Sequence, residues 1–435
     1  MKLVKLIDIT LLESSVTASA YDEYDDTKTY DDTTDYVKVS FASDGITART
    51  PVEEYLSLAN ANLDNYPPDD STNWSLLGAS NEWKMFDGYV NSQTSDTSDI
   101  AVEITSSNTN KIGLFDLQGS AVTLTQIVNI ELITNGDCTA DDFTKGTGWS
   151  YDAGVEYDCS GAQVADSKLY QIINPTVDKK YIVKFTVKNY SAGNVAGTIG
   201  GISGTDVAAD GDYVQIITVD PDTYEDENGH AYADGYTDTL EGGVVADSAF
   251  IGSVDDISIM RIANDETIDI DLDVSFTPDY WYYFFSDFTY KEDISWDYSF
   301  YANSKIRIEI TTQGGTAKCG MGALGRSVTL GTTRYEPHIS IDDYSKKDTD
   351  TLGRTYLNPG NYAKKNDIDF WLDNDQVDIV RRALADVRGT AVITDANSES
   401  TDFGSLIIYG FIKNFDIIVP GPNQSKCSLE IEGLI

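Results

Sequence analysis

Histidine and cysteine, the side chains best suited to nucleophilic, metal or redox chemistry, are scarce in this chain: His230 and His338, and Cys138, Cys159, Cys319 and Cys427. A Ser or Cys nucleophile needs a base within hydrogen-bond reach, most often a histidine. His230 falls in an acidic, loop-like stretch and His338 in a strand-like one, and no GxSxG, HExxH or phosphate-loop pattern accompanies them. No CxxC spacing marks a zinc or dithiol site. Cys138 and Cys159 are near enough in sequence to bridge, and equally suited to be small buried thiols. Carboxylates are abundant instead. With 72 Asp and Glu, a pair spaced for glycoside hydrolysis can be drawn almost anywhere, so such a pair carries no information. Asp220 and Asp222 open a stretch that begins like a calcium loop, but the later spacing is not that of an EF-hand. The chemistry-bearing residues predict a protein that is not an enzyme.

The whole chain has 435 residues and 30 Lys and Arg, for a formal charge of −42. Such a surface repels polyphosphate and anionic lipid, which argues against nucleic-acid binding. With 27 Tyr, 15 Phe and 6 Trp it is not the aromatic-poor acidic composition of a disordered chain. Its length predicts two to four domains, at about 100–200 residues each. No uninterrupted apolar run approaches the roughly 18 residues of a membrane helix. At the start, Lys2 and Lys5 precede an apolar run that Asp8 and Glu13 interrupt, which predicts an ordinary strand ahead of a secretory signal. The acidic, tyrosine-rich tract at 21–36 is expected to be a solvated loop, with an edge strand or a docking arm as alternatives.

The elements that must position any site are mostly strands. IAVEIT from Ile100, YIVKFTVKNY from Tyr181, YVQIITV from Tyr213, KIRIEIT from Lys305 and SLIIYGFI from Ser405 alternate, or nearly so, between apolar and polar, which buries one face of each. One helix is predicted: Val377, Val380, Leu384 and Val387 recur at three- and four-residue steps, behind an Asn/Asp cluster and ahead of Gly389.

Between about Asn129 and Ile262, the run NIELITNGDCTADDFTKGTGWSYDAG, then VEYDCSGAQVADSKLYQ and finally GSVDDISIMRI resembles the carbohydrate-binding-like jelly-roll modules that phage structural proteins carry as insertions. The resemblance implies a two-sheet module whose sugar would stack on an exposed aromatic ring. Trp149, Tyr151, Tyr157, Tyr170 and Tyr213 are the candidates, with core packing the stronger expectation for Trp149. It also implies a calcium ion tying first strand to last, with Asp255 or Asp256 as carboxylate ligand, although adjacent Asp residues are also ordinary turn chemistry.

The flanking sequences, NWSLLGASNEWKMFDGYVNSQTS and KIGLFDLQGSAVTLT before the module and PDYWYYFFSDFTYKEDISW and the C-terminal hundred residues after it, resemble a family of tailed-phage virion proteins. The fold expected is mainly β: an N-terminal strand-rich acidic segment at 1–72, a discontinuous galactose-binding-like β-sandwich from 73–127 and 264–328, an inserted jelly roll at 128–263, and a C-terminal α+β unit at 329–435.

The function this implies is that of a structural component of the virion, in the tail or at the head–tail connection, made in the host cytoplasm. Its expected partners are copies of itself, other virion proteins and host surface glycans, without nucleic acid or membrane insertion. The aromatic run Trp281–Phe285 is expected either to contact neighbours or to lie in the core, and the C-terminal Lys346, Lys347, Lys364, Lys365, Arg381, Arg382 and Arg388 either to dock acidic partners or to form a solvated face. The alternative function is a glycan-binding adhesin or tail-fibre component; a depolymerase is a distant third.

Overall fold

A computed structural model describes residues 1–16, 41–43, 52–60, 62, 65, 67, 70–176, 178–219, 240–270, 291–312, 315–334, 336–349, 354–396, 403–419, 421 and 423–434. The tract 21–36, the stretch holding Asp220, Asp222 and His230, and the run Trp281–Phe285 lie outside the described residues. Among the described residues strand makes up 58% and helix 6%, so the fold is mainly β, with curled antiparallel sheets. It divides into two compact units: one of Met1–Leu124, Glu266–Ala302 and Ile306–Ile435, the other of Thr125–Asp265 and Asn303–Lys305.

In the first unit, the alternation read in IAVEIT and KIRIEIT does what a two-residue period requires. Ile100, Val102 and Ile104 from one strand and Ile306, Ile308 and Ile310 from another are buried in one core. Ile100–Thr105 lies between Leu11–Ser14 and Ser304–Thr311. Ile112, Leu114, Trp296 and Leu324 close the same core from a second sheet, where Lys111–Phe115 pairs with Ile294–Asp297 and with Met321–Thr329.

That second sheet has ten strands. Lys2–Leu6 sits inside it, antiparallel to Met321–Thr329 on one side and to Val392–Asp395 on the other. Residues 1–72, set apart in the sequence reading, thus contribute a strand that joins the sandwich-like part to the C-terminal region. The Met1 amine donates to the Gly331 carbonyl at 2.6 Å. Beyond Val392–Asp395 the sheet continues through Ile407–Ile418, Gln424–Gly433 and Tyr362–Asp373. The predicted helix forms at Val377–Asp386 and lays Val380 and Leu384 on Ile368, Phe370, Ile408, Leu429 and Ile431. Its apolar face would be costly to expose, because deleting one buried leucine side chain forfeits about 2–5 kcal/mol.

One ribbon leaves this sheet. His338–Asp343 pairs with Tyr362–Asp373, and beyond Tyr344 and Asn361 the same two chains continue as the pair Lys346–Thr349 and Thr355–Asn358. Every residue of that outer pair is exposed.

Strands of two sheets enclose one core in the second unit. The first runs Trp149–Asp152, Glu156–Ser160, Ile251–Asp269, Lys180–Ala192 and Gly211–Thr218. The second runs Thr144–Lys145, Ser167–Ile172, Glu241–Ala246, Val195–Ile199 and Ile202–Ser203. Phe185, Leu169, Val195, Val244, Phe250 and Ile259 fill the space between them. Gly193 turns at φ +73°, and a Cβ there would lie 2.2 Å from the Phe250 nitrogen, so only glycine permits this close approach.

Candidate functional site

In the second unit, the five aromatic candidates separate by burial. Trp149 is 7% exposed and Tyr157 is 0% exposed. The Trp149 indole packs 6.1 Å from the Phe250 ring and donates to the Ser167 carbonyl at 3.2 Å. Tyr157 packs on Phe143, and burial pushes its hydroxyl up to about 12. Neither ring has a free face, which corrects the candidacy of both as sugar platforms and leaves Trp149 in the core role already favoured for it. Tyr151 is half-buried against Tyr157, with its hydroxyl donating to the Cys138 carbonyl and accepting from the Gly154 N–H. Tyr170 is half-buried in the second sheet.

Tyr213 differs from the rest because it lines a groove of about 590 Å³ together with Ile202, Thr205, Val207 and Gln215. Its ring stacks on Phe185 at 5.6 Å, and its hydroxyl donates to the Ala209 carbonyl at 2.9 Å. Gln215 is fixed in the wall: it accepts from the Gly197 N–H and donates to the Thr205 carbonyl. A side chain on Gly204 would strike the Gln215 amide oxygen, which accounts for glycine there.

Of the two carboxylates named for calcium, Asp255 is already paired with a cation. Asp255 accepts from Lys188 Nζ at 2.6 Å through one oxygen and from the Asp256 N–H at 2.8 Å through the other. That hydrogen bond holds the Lys188 amine above the ordinary lysine range. Burial, followed by the neighbouring Asp255 charge, pushes the Asp256 carboxyl up, and Asp256 itself turns at φ 50°. Lys188 thus supplies a cation to Asp255, and among the described residues no group of three or more His, Cys, Asp or Glu is placed to hold a metal.

Cys138 and Cys159 are separate, buried thiols, so the bridging alternative is not realised. His338 is an exposed strand residue 3.7 Å from Asp367.

The first unit holds a cleft of about 360 Å³. Phe115, Tyr409 and Leu434 give it apolar walls, and Asp116, Glu292, Asp293 and Lys364 supply its charge. Asp293 is buried, accepts from the Asp116 N–H, and is ion-paired with Lys364. Burial raises the Asp293 carboxyl despite that partner. Burial alone would lower Lys364, but the Asp293 charge and hydrogen bond outweigh it and hold the amine above the usual lysine range. Of the C-terminal cations, Lys364 is committed here and Lys365 to Glu430, while Arg381 sits beside Asp378 on the helix surface. Asp293 was not singled out in the sequence, because one Asp among 72 acids carries no local signal.

No protein-family model matches this chain, and no curated protein matches it either.

Proposed function

We propose that this chain is a non-enzymatic structural component of a tailed-phage virion, in the tail or at the head–tail connection, that assembles in several copies. In this reading the second unit is a carbohydrate-binding-like jelly roll presented at the particle surface, and the sandwich-like part of the first unit is of galactose-binding type. The observation that carries the assembly is the ribbon ending in Lys346–Thr349 and Thr355–Asn358, where Tyr356 is 52% and Leu357 74% exposed. A two-stranded ribbon alone is marginally stable in water, and apolar side chains displayed on one are well suited to a partner surface. Mass spectrometry of purified virions tests the proposal: the polypeptide is expected in stoichiometric amounts, and particles that infect normally without it would sink the idea.

The second reading, a host-glycan-binding adhesin or tail-fibre component, is favoured by one feature, the groove beside Tyr213. Sugar rings stack on aromatic faces at the edge of such grooves. Binding of the purified chain to host surface polysaccharide, lost in Tyr213→Ala at unchanged melting temperature, would support it. Equal binding by both proteins would remove the groove from consideration.

A further inference from the structure

The cleft beside Asp293 and the outer end of the ribbon have complementary chemistry. Among the described residues lining the cleft, Lys364 is the single cation, and it is already paired with Asp293. Asp116 accepts a hydrogen bond from the neutral Gln93 amide, and Glu292 stands exposed beside it, so two carboxylates are left without a full countercharge at an apolar-walled opening. Such a lining suits a cationic side chain adjacent to an apolar one.

The ribbon presents that combination. Lys347 and Leu357 are directly opposite each other in the antiparallel register, and directly opposed side chains project from the same face about 5 Å apart. Both are exposed. In a molecule of charge −42, a contact between two copies meets general repulsion, which makes a local match of cation to carboxylate the condition for association. The Tyr344 N–H donates to the Asn361 carbonyl at 3.0 Å, which keeps the two chains of the ribbon together at the rim of the cleft. Gly360, Asn361 and Tyr362 line the cleft, so the ribbon leaves from its rim, and Leu357 lies three residues beyond Gly360, about 10 Å of extended strand at roughly 3.3 Å per residue.

The geometry points to a head-to-tail contact in which the Lys347–Leu357 pair of the outer ribbon of one copy seats in the Glu292–Asp293 cleft of a second copy of this chain. This rests on the multi-copy reading above and names the surfaces that carry it. Because ribbon tip and cleft are different surfaces, the contact is heterologous and repeats from copy to copy, closing into a ring when the rotation permits.

The test is sedimentation velocity of the full-length chain over a concentration series, with circular dichroism to confirm folding. The wild type is expected to form multimers, and Lys347→Glu and Glu292→Arg each to sediment as folded monomers. The double variant, which restores opposite charges with their signs exchanged, is expected to recover multimers. Three results would overturn the inference: a wild type that stays monomeric throughout, single variants that assemble like wild type, or a double variant that stays monomeric. If Lys347→Glu alone abolished assembly and Glu292→Arg had no effect, the tip would dock on some other surface and the cleft assignment would fall. Virion mass spectrometry is independent of these outcomes, so a chain present in particles but lacking this contact would refute only the contact.

Discussion

The Lys111 ammonium lies 2.7 Å from the Asp395 carboxylate, tying the strand Lys111–Phe115 to Val392–Asp395 from a fully buried position. The same nitrogen is 2.9 Å from Asp297, which Lys2 reaches at 2.8 Å from the N-terminal strand. Sandwich-like part, N-terminal strand and C-terminal region thus share one chain of charges. Asp395 is buried whereas the Asp297 side chain is 45% exposed, so water can replace only the second.

Asp395→Ala is therefore expected to cost about 3–5 kcal/mol, because it leaves a buried ammonium short of its interior partner. Asp297→Ala is expected to cost much less. The double variant Lys111→Met/Asp395→Asn, which removes both buried charges together, should cost less than Asp395→Ala. Urea unfolding of the three variants checks the order, and equal losses for Asp395 and Asp297 would contradict it.

The helix Val377–Asp386 stabilises the sheet through Val380 and Leu384. Leu384→Ala is expected to lower stability by about 2–5 kcal/mol, and the exposed Arg382→Ala by less than about 0.5 kcal/mol. Thermal or urea unfolding distinguishes a covering helix from a surface one.

Burial pushes the thiols of Cys138, Cys319 and Cys427 up to about 12, and raises Cys159 in the same direction. Thiolate is the reactive form, so all four should resist alkylation at neutral pH until the chain unfolds. Because Cys138 and Cys159 are not bridged, a reductant should leave the melting temperature unchanged. A fall on adding dithiothreitol would reveal a disulfide.

Hydrogen bonds from Lys365 and then Lys413 hold Glu430 below its ordinary 4.5, while Lys365 and Lys413 are raised above 10.5 by Glu430 and Glu432. The carboxylate's contribution to stability is complete above its unfolded value and is lost as pH falls through the lower folded value. The amines contribute fully below 10.5 and lose that contribution as pH rises through their higher folded values. Melting temperature against pH should therefore fall at both ends, and Lys413→Ala should make both limbs shallower. These groups face solvent, so the effect should be small and weaken with salt.

Chelation is expected to leave the second unit's melting temperature unaltered, because Lys188 supplies the cation that Asp255 needs. A drop with EGTA that calcium alone reverses would reinstate a metal ligand set.

Much of the secondary structure was legible in the sequence because its signals are local. The alternation of Ile100, Val102 and Ile104 and the three- and four-residue steps from Val377 to Leu384 depend only on how side chains project from a strand or a helix. Composition likewise foretold a mainly β chain rich enough in aromatics to fold. The site was less legible. Trp149, Tyr157 and Tyr213 look alike in sequence, and which ring is enclosed depends on where two sheets meet. The partners of Lys111, Asp293 and Asp255 were hidden among 72 acids. The sequence by itself determined which residues can form strands, where the helix lies and which face of each is apolar, since periodicity is a property of neighbours along the chain. Only the tertiary structure decided that Lys2–Leu6 pairs between Met321–Thr329 and Val392–Asp395 and that Lys111 is buried against Asp395, because those pairings arise when distant strands meet and desolvation selects which charges must be matched.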